Sequence, residues 1–369
     1  MTYQQQLVAP VGLAHEPRTA MNYAAPWWLP GGNLQTIWSA LYARRFDGAP
    51  PDFQRERWTT PDADFIDVDF LKSVAPTLPA SRGSLPPEGA NFSRDGPSKN
   101  CPVEEIPTLL VLFHGLEGSS ASHYGQSFAA FARQHGLAFC VPHFRGCSGE
   151  LNLAPRAYHS GDHEEIDWIL KRLRARHNGP IVAVGVSLGG NALLRWAEEA
   201  GDEAAKTVRA VASVCSPIDL AASGRAIGRG FNRLVYTRMF INSMKPKALR
   251  KLAQHPGLFD GQALAQARDL YEFDNIFTEP LHGFKNTEDY WARGSAKPHL
   301  HLIRVPALVV NALNDPFIPA ESLPEPHAVG NYVTLWQPEQ GGHVGFPHGN
   351  FPARLHALPD VLGGWLLAQ

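Results

Sequence analysis

Short apolar runs, each closed by glycine, proline or a polar cluster, recur along the chain and alternate with stretches whose apolar residues fall three and four apart. The runs are Thr108–Phe113, Leu137–Val141, Pro180–Val184, Val208–Val214, Pro306–Asn311 and Tyr332–Trp336. Runs so short and so continuously apolar predict strands buried on both faces, as in a parallel sheet. Between them, Tyr124, Phe128 and Phe131 fall at i, i+4 and i+7 before His135-Gly136, and Ile166, Ile169, Leu170 and Leu173 share one helical face. The alternation of strand and helix calls for right-handed crossovers and an α/β architecture. Earlier in the chain, Arg55–Thr60 and Asp64–Phe70 mix Phe65, Val68 and Phe70 with acidic residues on either side of a polar turn, which predicts an antiparallel pair.

Three stretches break this rhythm. Residues 1–50 predict an irregular arm packed on the core, with Trp27 and Trp28 needing burial and Pro30-Gly31-Gly32 turning the chain back. Residues 73–106 are rich in Pro, Ser and Gly and predict an exposed loop. From 219 to 295 no strand pattern survives, and Tyr236, Met239, Phe240, Ile241, Met244 and Leu249 give a semi-regular helical pattern. An insertion of that length between two sheet strands predicts a helical lid whose apolar faces line a pocket. The expected division is therefore an arm (1–50), a first core part (51–218), a lid (219–295) and a second core part (296–369), closed by a helix over Ala353–Leu367.

Candidate chemistry lies at the ends of the predicted strands. Gly185-Val186-Ser187-Leu188-Gly189 falls between a strand and a helix, the context of a nucleophile elbow, in which flanking glycines make room for a sharply turned serine. His114-Gly115-Leu116-Glu117-Gly118 ends an earlier strand, where a loop supplies a second oxyanion donor; the expected donors are the backbone N–H groups of Leu116 and Leu188. Asn314-Asp315-Pro316 and Gly341-Gly342-His343 follow the last two strands, so Ser187, Asp315 and His343 stand in the chain order of an α/β-hydrolase triad. Asp219 and His348 are rivals for acid and base. Asp315 is preferred for its place in the turn directly after a strand, and His343 for the glycines that let its loop reach across the sheet edge. His114, Gly115 and Arg145 are candidates for substrate-site support. Arg145 with Glu150 would form a structural pair, and Ser160 or Asp162 would cap the helix after it rather than join His159 and His163 around a metal.

Composition narrows the classes. A formal charge of −2 with 18% charged residues offers no basic field for nucleic acid, and 44% hydrophobic residues suit a large globular core. Four cysteines without C-x-x-C spacing suit a reducing compartment, and no H-E-x-x-H occurs among the 16 histidines; no metal and no cofactor is expected. No signal peptide or long apolar run is present, so a cytoplasmic protein without a transmembrane anchor is expected, with peripheral membrane contact left open.

Taken together, His114–Gly118, Phe144–Glu150, Arg156–Gly161, Gly185–Gly189, Asp289-Tyr290-Trp291, Leu313–Phe317 and Gly341–His343 occur in the order seen in the YheT-like branch of the α/β-hydrolases. The resemblance runs from about Trp27 to the C-terminus, and the Arg-Gly-Cys and Tyr-His-Ser-Gly blocks are its specific part. It implies hydrolysis of small-molecule carboxylic esters, with short-chain or lipid-like acyl groups. Membrane-anchored relatives act on glycerolipids, and this sequence departs from them in lacking that anchor. It also carries Asn33 where a histidine usually precedes Leu-Gln-Thr, and its 73–106 loop looks longer. An acyltransferase with the same triad, and a catalytically silent binding module, are the alternatives.

Overall fold

The apolar runs become the strands of one sheet because each can bury both faces only between two layers of helices. The computed structural model describes residues 21–72 and 106–369, so the expected loop at 73–106 lies, but for Ile106, outside the described residues. The strands are β1 (Phe53–Thr59), β2 (Phe65–Leu71), β3 (Leu109–Phe113), β4 (Ala138–Pro142), β5 (Ile181–Val186), β6 (Ala210–Val214), β7 (Ala307–Val310) and β8 (Val333–Trp336). Their order in the sheet is β1-β2-β4-β3-β5-β6-β7-β8. The β1–β2 and β2–β4 pairings are antiparallel and the rest parallel.

Register is what makes a site possible. Phe113 pairs with Gly185, Val186 with Val214, Val214 with Val310 and Val310 with Trp336, so neighbouring strands end almost level. The residues that follow them, His114, Ser187, Cys215 and Asn311, are therefore delivered to one rim, the edge where open α/β sheets bind ligands.

Alternate strand residues feed two cores. Leu109, Val111, Phe113, Ala183, Val211 and Val309 pack with α3 (His163–Arg176) and α4 (Leu188–Ala200). Leu110, Leu112, Val182, Val184, Leu308 and Val310 pack on the other face with α2 (His123–Gln134) and the closing helix Ala357–Leu367. Burying each such Leu, Ile, Val or Phe stabilises the fold by roughly 1.5–3 kcal/mol.

Between β6 and β7, residues 220–302 hold helices and no strand, among them Leu220–Ile227, Arg238–Gln254 and Thr287–Gly294, with a small core of Ile241, Ala248, Leu264, Phe273 and Phe277. Two turns of this insertion, Arg233–Thr237 and Asp274–Thr278, are π-helical. It is fastened to the sheet from below. Asn191 on α4 donates through Nδ2 to the carbonyls of Ser160 (2.8 Å) and Gly294 (2.7 Å) and accepts from the Ala296 N–H. Gly161 and Gly294 cross backbone to backbone; a Cβ on Gly161 would lie 2.8 Å from the Gly294 Cα. Among the described residues no helix is long and apolar enough to cross a membrane.

Four expectations need correction. The arm contains a helix, α1 (Gly32–Leu41), whose buried residues are Gln35, Thr36 and Ser39; a helix that buries a polar face gives no apolar periodicity to read. Trp28 packs against Trp38 and Phe351, but Trp27 is 92% exposed. Arg145 does not pair with Glu150. Its guanidinium meets Asp62 (2.7 Å), Asp64 (2.8 Å) and Glu165 (2.5 Å), while Glu150 meets Arg57. Neither Ser160 nor Asp162 caps α3: Asp162 stands at its N-cap but pairs with Arg156 at 2.5 Å, and Ser160 receives Asn191. The Arg145 partners come from segments remote in sequence, whereas Arg156 lies on the loop just before α3.

Candidate active site

β5 ends at Val186, and Ser187 takes φ 53°, ψ −121° before α4 begins at Leu188. A non-glycine residue there is strained by about 1–3 kcal/mol. The turn closes because its flanks are glycines. A Cβ on Gly185 would lie 2.5 Å from the Gly189 carbonyl oxygen, and one on Gly189 2.4 Å from that of His114.

The three residues drawn from distant loops meet. His343 Nε2 lies 3.0 Å from Ser187 Oγ, and His343 Nδ1 lies 2.9 Å from Asp315 Oδ2. A carboxylate can only accept, so Nδ1 carries the proton toward Asp315 and Nε2 is left to accept from the serine hydroxyl. Asp315 is fixed in turn by the Phe317 N–H on Oδ1, at 2.8 Å. The rivals are occupied elsewhere. Asp219 accepts the Ala222 N–H as the cap of Leu220–Ile227, and the His348 ring packs edge-on against His356.

The His114–Gly118 loop folds over the elbow. Tyr124 Oη accepts the Gly115 N–H, Tyr158 Oη accepts that of Glu117, and the Gly115 carbonyl accepts that of Gly118. Among the described residues this leaves the Leu116 N–H without a protein partner. Leu188, the first residue of α4, likewise has no intrahelical acceptor for its N–H. Leu116, Ser187 and Leu188 line one cavity of about 120 Å³ beneath the insertion, with Leu220, Ile227, Phe240, Met244, Leu270 and Phe317 supplying apolar wall. A second cavity of about 80 Å³ shares Leu116, Leu188, Met244, Asp274 and Tyr290 with it.

The support residues named from sequence have distinct places. Gly115 abuts Ser187, whose Cβ would lie 3.1 Å from a Cβ at 115. Buried His114 donates through Nδ1 to the Gly115 carbonyl and accepts the Phe144 N–H on Nε2, bracing two rim loops. Burial, and then the neighbouring His143, push its pKa down to about 3, so the ring is neutral. Arg145 borders the second cavity with its guanidinium held by three carboxylates.

Cys215 lies beside Asp315 and His343. Burial, reinforced by Asp315, holds its thiol far above the usual range, so it remains protonated; its Sγ donates to the Gly342 carbonyl and accepts the Val344 N–H. A protonated thiol is a poor metal ligand.

Sequence reasoning missed the residues that hold these loops. Fully buried Gln35 donates to the Leu29 carbonyl and Gln340 Oε1, and its own Oε1 accepts Asn314 Nδ2 and the Gly341 N–H. Thr36 Oγ1 accepts the His343 N–H at 2.8 Å, and Asn314 Oδ1 accepts that of Gly342 at 3.0 Å. The signal available was a Gly-Gly pair followed by polar residues: a Cβ on Gly32 would lie 1.8 Å from the Asn314 carbonyl oxygen, so α1 can dock only through glycine.

This geometry accords with the similarity of the chain to known proteins. A family model described as the alpha/beta hydrolase fold matches residues 108–349. An Escherichia coli (strain K12) protein carrying the provisional name esterase YheT is 34% identical over 90% of this chain and 89% of its own length. The chain belongs to the α/β-hydrolase family, in its YheT-like branch. More distant members of the family include a human protein named phospholipase ABHD3, 26% identical over 96% of this chain and 81% of its own. A Saccharomyces cerevisiae protein named monoacylglycerol lipase is 26% identical over 90% and 77%. In this α/β-hydrolase Gly185–Gly189 and the loops carrying Asp315 and His343 all fall within the matched segment.

Proposed function

We propose that the protein is a serine hydrolase that cleaves carboxylic esters through an acyl-enzyme on Ser187. The observation that carries this reading is the hydrogen-bonded chain Ser187 Oγ–His343 Nε2 (3.0 Å) and His343 Nδ1–Asp315 Oδ2 (2.9 Å), opening on an apolar cavity. The relatives named esterase, phospholipase and monoacylglycerol lipase support the same class.

A serine hydroxyl is a weak nucleophile near neutral pH, so His343 takes its proton as Oγ bonds to the ester carbonyl carbon. Asp315 holds the tautomer and stabilises the imidazolium. The carbonyl oxygen becomes an oxyanion held by the N–H groups of Leu116 and Leu188, each donor contributing about 3 kcal/mol to the transition state. When the tetrahedral species collapses, the bond to the alcohol oxygen breaks and His343 returns the proton to the departing alkoxide. Water then attacks the acyl carbon with His343 again as base, and the acid leaves as Ser187 recovers its proton. The apolar faces of the insertion act as the acyl pocket and as a lid that limits water.

A chain-length series of p-nitrophenyl esters on wild type and Ser187→Ala tests the reading. Turnover should fall by about 10⁴-fold or more in the variant with its fold intact. A fluorophosphonate probe should label Ser187. Absence of labelling in folded protein would support the silent binding module, and dominant alcoholysis at low alcohol concentration an acyltransferase.

A further inference from the structure

Among the hydrogen-bonding side chains in the wall of the Ser187 cavity that take no part in the chemistry above are Ser223 and Asp274. Ser223 stands within Leu220–Ile227 at 3% exposure, and its Oγ has no partner. A helical serine can bond back to the carbonyl four residues earlier, but Ser223 Oγ does not do so, and the Asp219 carbonyl accepts only the Ser223 backbone N–H. Asp274 opens the π-helical turn Asp274–Thr278, a backbone irregularity that recurs at functional sites. Its Oδ1 accepts Thr278 Oγ1 at 2.7 Å and its Oδ2 accepts Trp291 Nε1 at 3.0 Å. Among the described residues no cation pairs with it. An ionised carboxyl has roughly four acceptor positions, so two partners leave it capacity to spare. Burial pushes its pKa up to about 6, a sign that its partners offset the loss of water incompletely.

An acid with spare acceptor capacity and an orphan hydroxyl, in a wall that Leu220, Ile227, Phe240, Met244, Leu270 and Phe317 make largely apolar, lower stability unless something arrives to bond them. Binding sites of this kind are apolar cavities in which a few polar groups fix orientation. We propose that Asp274 and Ser223 form a hydroxyl-binding subsite of the Ser187 cavity, so that the preferred ester carries a free hydroxyl near its scissile bond. A substrate O–H donates to the Asp274 carboxylate while its oxygen accepts from Ser223 Oγ–H. An ammonium would satisfy the carboxylate but would lose far more hydration on entering so apolar a wall. The inference rests on the ester hydrolysis proposed above and names what that site selects.

The hydroxyl can belong to a polyol alcohol or to a hydroxylated acyl chain, and two matched pairs of substrates separate these sources. In the alcohol arm, kcat/KM is measured for glycerol monobutyrate against propyl butyrate. In the acyl arm, it is measured for p-nitrophenyl 3-hydroxybutyrate against p-nitrophenyl butyrate. Wild type should prefer the hydroxylated member of one pair by about ten- to hundredfold, the range for a hydrogen bond to a charged group. In Asp274→Ala and in Ser223→Ala that ratio should fall toward one, and because it compares two substrates on the same protein it is insensitive to a general loss of active enzyme. Thermal denaturation checks folding; if Asp274→Ala does not fold, Ser223→Ala decides. A wild-type ratio near one in both arms overturns the subsite while leaving the esterase reading intact, as does an unchanged ratio in folded variants. Loss of fluorophosphonate labelling together with inactivity on every ester would instead overturn the esterase reading and the subsite with it.

Discussion

Replacing Gln35 by leucine tests whether the N-terminal helix holds the loops of Asp315 and His343. The two side chains are close in volume, so little cavity forms, but four hydrogen bonds vanish. The partners at Gln340 and Asn314 are partly exposed and can turn to water, whereas the Leu29 carbonyl and the Gly341 N–H are buried. Leaving a buried polar group unpaired costs about 1–3 kcal/mol, so two such groups place the loss near 3 kcal/mol. At about 2 °C per kcal/mol for a large domain, the melting temperature should fall by about 6 °C. Gly341 and Asn314 border His343 and Asp315, and a displacement of a reacting group by about 1 Å costs on the order of 100-fold. The expected outcome is a kcat reduced by about tenfold or more with KM little changed, read from p-nitrophenyl butyrate kinetics beside a thermal melt at a temperature where the variant is fully folded. A melting temperature that falls while kcat stays at the wild-type value would refute the coupling of α1 to the triad; no change in either would refute the buried hydrogen bonds themselves.

Other outcomes follow from the same geometry. Ser187→Gly should be inactive yet more stable than Ser187→Ala by about 1 kcal/mol in urea denaturation, because glycine alone accepts φ 53° without strain. Gly189→Ala should cost more than about 3 kcal/mol or abolish soluble expression, since the new methyl meets the backbone oxygens of His114 and Phe113 at 2.4 and 2.6 Å and backbone cannot step aside; a normal melt would count against the elbow geometry. Asp69 is buried, which alone would raise its carboxyl pKa, but Arg55, His143 and Ser120 outweigh burial and hold it far below the usual carboxylate range. A depressed folded pKa gives stability present above the unfolded value near 3.9 and lost as pH falls through the folded one. The wild-type urea midpoint should therefore decline from pH 5 to pH 3, and Asp69→Asn should be less stable at pH 7 with a shallower decline. Equal slopes would show that Asp69 is not the linked group.

How much of this was legible depends on which interactions are local. The strands were readable because Leu109–Phe113 and Ile181–Val186 are buried on both faces, and runs so short, bounded by turn residues and rich in β-branched side chains, favour strand over buried helix. Ser187, Asp315 and His343 were picked from the loops after β5, β7 and β8, whose ends the register brings level. Helix α1 was not readable, since the face it buries is Gln35, Thr36 and Ser39 and its partners lie about 300 residues away. Arg145 went to the wrong acid for the same reason. Glu150 was near in sequence, but the turn carrying Asp62 and Asp64 and the helix carrying Glu165 were nearer in space. Asp274 gave no signal at all, because a π-turn changes which way a residue faces without changing composition.

The grip of Asn191 on Ser160 and Gly294 has a kinetic corollary. Asn191 stands on the first turn of the helix that begins beside Ser187, so a rigid swing of the whole insertion would pull directly on the elbow. The segment around Arg233–Thr237 is held differently, with Leu234 and Met239 facing solvent while Tyr236 and Thr237 bond to Asn33 and the Ile227 carbonyl. A displacement confined to that segment would leave Ser187 undisturbed, because the tie to α4 runs through Gly294 and not through it.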